Sequence, residues 1–169
     1  MTTDELLLYH VDGYDYRREH ERGFNVGLAF AEDGVPQDGQ RAQEIQVVFS
    51  NFKTGVFTYD AQRGLYLVSQ YDAPHMDGVS ETQLAVTNVL VLFADFSVMD
   101  GEGRLDVDFS QGGSGYFASG GQIIAINWAK PRDTAPFVFT LENGQPLVLG
   151  EGRSYINIVN ENTGSVNFS

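Results

Sequence analysis

Hydrophobic residues recur with a period of two over most of the chain. Phe24, Val26, Leu28 and Phe30 alternate with Asn25, Gly27 and Ala29, the spacing by which a strand buries one face. Ile45, Val47 and Phe49 repeat the pattern, and the intervening residues 32–40, with Asp33-Gly34 and Pro36, read as a surface loop. Residues 56–60 and 65–69 flank Ala61-Gln62-Arg63-Gly64 and predict a hairpin. Residues 88–96 form the most apolar segment. It is short and β-branched, so a strand covered on both faces near the middle of a sheet is expected rather than a helix.

Three more hairpins follow from the turn residues. One joins residues 89–96 to 104–109 across Asp100–Gly103, one joins 116–119 to 122–128 across Gly120-Gly121, and one joins 137–141 to 146–149 across Asn143-Gly144. Residues 154–159 supply a last strand. The first 22 residues differ: Thr3 can cap a helical turn, Asp4 and Glu5 suit its positive end, and Leu6, Leu7 and Leu8 follow. A short helix ending near Gly13 is expected there, then a charged connector over 14–22. The expectation is therefore a mainly β protein, an antiparallel sheet folded into a barrel or sandwich with one short N-terminal helix. Residues 1–22 form the helix and connector, and 23–169 the β domain.

Charge narrows the partners. With 23 acidic against 10 basic residues the formal charge is −13, which opposes nucleic acid and anionic membrane surfaces. There is no cysteine, so disulfides, thiol chemistry and thiolate-held metals are excluded. The longest wholly apolar stretch, residues 89–94, falls far short of the roughly 20 residues of a membrane-crossing helix. Met1–Asp4 shows no signal-peptide pattern, and a chain starting after a removed leader or domain would look the same.

Candidate chemistry is sparse. Gly113-x-Gly115-x-x-Ala118 has the letters of a dinucleotide fingerprint, but Gly120-Gly121 turns the chain back where a helix would have to begin, so a bulge or tight strand entry fits better. Ser114 is not in a nucleophile elbow, because Tyr116 stands two residues after it where glycine would be required. His10 and His20 read as solvated. His75-Met76-Asp77 could open a two-histidine, one-carboxylate metal site, yet no histidine follows residue 75, and no metal or cofactor is expected.

Residues 72–78 nevertheless gather two carboxylates and an imidazole. Three roles compete: Asp77 orienting His75 as an acid/base pair, a polar ligand cluster, or a structural knot that satisfies backbone groups, the last being favoured by composition. Asp95, Asp100, Glu102, Asp106 and Asp108 depart from calcium-loop spacing and read as a solvated hairpin end. The single tryptophan, Trp128, closes a strand and can stack on a ligand or, by preference, fill the core.

The order of these segments from Phe24 to Val159 resembles the C-terminal domain of the YerB-like lipoproteins, a bacterial family without an assigned activity. The likeness rests on a collinear series: Ile45–Ser50, Tyr59-Asp60 with Tyr66, His75-Met76-Asp77, Gln83, Asn88-Val89, Gly113-Ser114-Gly115, Trp128-Ala129-Lys130, Gly144, Gly152 and Ser154-Tyr155-Ile156. The chain departs from the family's pattern at Val68, where arginine is usual, at Gly120-Gly121, where Asn-Gly is usual, and at Tyr155, where tryptophan is usual.

The resemblance implies a two-domain, lipid-anchored protein outside the bacterial membrane, with residues 2–13 as the last helix of an N-terminal domain. It implies no catalytic residues. The expected function is a non-enzymatic envelope domain that binds a cell-wall component or a partner protein, with His75, Asp77, Gln83, Asn88, Gly115, Trp128 and Lys130 as ligand-binding candidates. The alternatives are a wall-active hydrolase using His75 and Asp77, or a purely structural partner of the N-terminal domain.

Overall fold

The computed structural model describes residues 27–132 and 134–169. The described chain runs through β1 (Ala29–Ala31), β2 (Gln40–Arg41), β3 (Glu44–Ser50), β4 (Lys53–Asp60), β5 (Leu65–Gln70), β6 (Ala73–Pro74), β7 (Ala85–Val86) and β8 (Asn88–Val98). It continues through β9 (Leu105–Asp108), β10 (Gly113–Ser119), β11 (Gln122–Ala129), β12 (Val138–Leu141), β13 (Val148–Gly150), β14 (Ser154–Asn160) and β15 (Ser165–Phe168).

These strands form open sheets. One runs β12-β11-β10-β8-β14, with β2 beside β11 and β9 beside β8; a second runs β15-β3-β4-β5-β6, with β7 also beside β5. The short pair β1-β13 stands apart from both. The alternation in β3, β4 and β5 buries Ile45, Val47, Phe57, Tyr66 and Val68 against Val89, Val91, Ala118, Ile123 and Val159 of the first sheet. Aromatic rings lock this layer: Phe57 meets Tyr155 edge-on at 5.3 Å between centroids, and Tyr116 meets Phe168 at 5.8 Å.

The opposite face of the first sheet is also covered. Leu90, Leu92, Phe117, Ile126 and Trp128 pack there with Phe139, Leu147 and Leu149, and Leu28 and Phe137 lie against them. β8 is therefore sandwiched on both faces along Asn88–Leu92, as its unbroken apolar run predicts.

The structure corrects the expected fold. No barrel closes, because β12 and β14 end the first sheet without meeting each other. The architecture is not purely antiparallel, since β14 runs parallel to β8 and β1 parallel to β13. The long excursion between residues 98 and 154 lets the chain re-enter beside β8 in the same direction. No helix occurs among the described residues, and the helix expected before Gly13 lies outside them. The mainly β character holds. So do the hairpin registers Asp60↔Leu65, Ser119↔Gln122 and Val98↔Leu105. The Asn143-Gly144 turn forms, but past Leu147 its return strand leaves β12 to pair with β1.

Candidate functional site

The candidate residues fall into three separate places. Asn88, Gly115 and Trp128 lie in the first sheet and serve the fold. Asn88 is 0% exposed; its Nδ2 donates to Gly150 O at 2.8 Å and to Ser154 Oγ at 3.1 Å, and its Oδ1 accepts from Gly150 N at 2.9 Å. That amide pins β13 and the start of β14 to β8, and leaves little capacity for a ligand. Gly115 lets β10 lie against β8, because a Cβ there would stand 2.2 Å from Val91 O. Trp128 is buried, with its Nε1 3.1 Å from both Phe93 O and Ser114 O, and its ring meets Phe109 and Phe137 edge-on at 5.9 Å.

His75, Asp77 and Gln83 lie together on an arm that folds out beyond β5. His75 N–H donates to Val68 O at 2.9 Å, Leu84 N–H to His75 O at 2.8 Å, and Met76 bridges Gln83. Gln83 Nε2 reaches back to Val68 O at 2.9 Å and Ser69 Oγ at 3.3 Å, so its side chain completes the ladder where the arm departs. Asp77 Oδ1 accepts from Val79 N at 3.0 Å and from Ser80 N and Oγ at 2.7 and 3.0 Å. Those donors, the Ser80 N–H first, hold the Asp77 carboxyl below the usual aspartate range. No hydrogen bond joins Asp77 to His75. The His75 Nδ1 is buried without a partner, so the imidazole is not oriented by a carboxylate. Lys130 stands elsewhere, donating to Arg132 O at 3.2 Å and Ala135 O at 3.0 Å, with its ammonium 5.8 Å from the Phe137 ring centroid.

Among the described residues, a concave feature lies on the outer face of the first sheet, where the loop after β1 passes the β12–β13 turn. Gly34 lets that loop sit on β13: a Cβ there would be 2.0 Å from Gly150 N. Between loop and turn runs a groove of two bays. One, of about 380 Å³, has Phe117, Ile124, Leu141 and Leu147 at its base and Asp33, Gln37 and Gln145 at its rim. The other, of about 370 Å³, shares Gln37, Ile124, Leu141 and Gln145 and adds Asp38, Glu142 and Asn143. Apolar carbon below and carboxamide and carboxylate groups above is the pattern of a small-ligand site. None of its rim residues was singled out in the sequence. Only Asp33-Gly34 and Asn143-Gly144 hinted at it, as turns.

Comparison with known proteins places this geometry. Residues 45–156 match the family described as "Protein of unknown function (DUF3048) C-terminal domain". The chain belongs to that family. It is 25% identical over 103 residues to the "Putative lipoprotein YerB" of Bacillus subtilis, a stretch that is 61% of this chain and 30% of that protein. The crystal structure of the B. subtilis YerB protein superposes with a TM-score of 0.67 at 22% identity, covering 83% of this chain and 46% of the other. The chain thus spans less than half of the relatives it matches, and what it shares with the solved one is the fold. The resemblance read from the collinear motifs is confirmed at the level of the family.

Proposed function

We propose that this domain is a non-enzymatic binding module of the bacterial cell envelope and that the two-bay groove holds its ligand, a fragment of the cell wall. The observation that carries this reading is the groove itself: an apolar base of Phe117, Ile124, Leu141 and Leu147 beneath Asp33, Gln37, Gln145 and Asn143. Wall glycans and their peptides present carbon faces edged by hydroxyl and amide groups, and such a site offers a counterpart to each. A relative named as a lipoprotein supports an extracytoplasmic, lipid-anchored setting in the full-length form.

A hydrolase centred on His75 and Asp77 would need the carboxylate to act on the imidazole, whereas Asp77 is engaged with its own turn. Co-sedimentation with purified cell wall, with the supernatant assayed for released sugar ends and free amines, tests the proposal. Pelleting without release is expected, weakened by Gln37→Ala with Gln145→Ala and unaffected by His75→Ala. Release of products lost on His75→Ala, or no pelleting at all, would overturn it.

A further inference from the structure

The groove on the outer face of the first sheet is charged with one sign only. Its rim carries the carboxylate of Asp33 in the first bay and those of Asp38 and Glu142 in the second, while no lysine, arginine or histidine lines either bay. None of these three carboxylates has an ion-pair partner among the described residues. Asp33 Oδ1 accepts from Val35 N at 3.3 Å, and Asp38 and Glu142 are exposed.

The backbone holds these groups in place. In the loop after β1, Pro36 is buried, and a Cβ on Gly39 would stand 3.1 Å from Ile123 O, so both ends of the segment carrying Gln37 and Asp38 lie against the sheet. Asp38 itself has a φ of 61°, a left-handed conformation that aspartate and asparagine tolerate. On the facing side, Asn143 Oδ1 accepts from Gln145 N at 2.9 Å and fixes the turn that follows Glu142.

A rim of oxygen acceptors over a carbon floor selects among the parts of a wall fragment. Glycan hydroxyl and acetamide groups are uncharged, whereas an ammonium brings three donors, no acceptor and the opposite charge. Its alkyl stem matches Ile124 and Leu141, the floor that both bays share. The formal charge of −13 adds a long-range field of the same sign, attractive to a cation and repulsive to an anion.

We propose that the groove recognises a primary ammonium group on an alkyl stem, as a lysine-type side chain of a wall peptide presents it, with Asp38 and Glu142 as its charge partners. This inference rests on the groove being the binding site.

Chemical-shift titration of the whole chain with three probes tests it: acetyl-alanyl-lysine amide, the same dipeptide with its side-chain amine acetylated, and the N-acetylglucosamine disaccharide. Amides of residues 33–38 and 141–148 should shift with the free amine, and added salt should weaken that probe alone. Acetylation, or Asp38→Asn with Glu142→Gln, should weaken binding about tenfold, since each exposed charge pair contributes roughly twofold to fivefold. Equal binding by the acetylated dipeptide, or of the free amine by the double variant, overturns the ammonium proposal. Groove shifts from the disaccharide alone overturn it while leaving the groove as the binding site. No groove shift from any probe also overturns it; wall pelleting still weakened by Gln37→Ala with Gln145→Ala would then show that the groove reading stands without it, and pelleting indifferent to those changes that both have fallen.

Discussion

The centre of the first sheet and the arm beyond β5 both carry residues that chemistry would single out, yet they use them in opposite ways. In the centre, Asn88 and Trp128 are enclosed, and every polar atom they bring is joined to backbone or to Ser154. In the arm, Asp77 is exposed and organises only the turn that follows it, and His75 Nδ1 has no partner at all. The difference teaches that polar type and position in a motif do not separate ligand contacts from scaffold. What separates them is whether neighbouring backbone already consumes the hydrogen-bonding capacity.

The sharpest way to break this comparison is to empty the centre. Trp128→Ala should destabilise by about 3–5 kcal/mol, since it removes a buried indole between Phe109 and Phe137, and urea unfolding measures it. Asn88→Ala removes the partner of both Gly150 N–H and Gly150 O, and a loss of about 1–3 kcal/mol is expected in the same experiment. In the arm, Gln83→Ala should cost only about 1 kcal/mol while quickening hydrogen exchange at His75 and Leu84. An arm variant as damaging as the central ones would end the distinction.

The smallest effect is one of pH. Backbone donors hold Asp77 low, as Ser110 holds Asp108 and the Arg104 guanidinium holds Asp100. For a carboxyl lowered in the folded state, the stabilisation is complete above its ordinary unfolded range and disappears as pH falls through the lower folded value. Asp77 and Asp108 are solvent-exposed and Asp100 is half-buried, so a slight fall in melting temperature on acidification is expected, and Asp77→Asn should flatten its share.

Much of the fold was legible because period and turn chemistry are local. The alternation in 45–49 and the glycine pairs gave β3 and the hairpins their place. Parallel pairing of β14 with β8 was not, because strand direction depends on how a connection of more than fifty residues returns. β15 was missed although Val166 and Phe168 alternate with Ser165 and Asn167, a signal too short to stand alone.

Of the candidate site, the sequence grouped His75 with Asp77 in one loop and offered Gln83 only through the family resemblance; the structure puts all three on one arm. It could not pick the groove. Gln37 and Gln145 are ordinary loop residues until Gly34 seats one loop on β13 and the other folds back beside it.

The most direct test of a binding groove separate from the His75 arm is a residue-resolved NMR titration of the whole chain with soluble wall fragments. The account predicts shifts confined to residues 33–38, 124 and 141–148, with the arm at 73–84 silent and the fragments unchanged. Shifts centred on His75 and Asp77, with the groove silent, would contradict it.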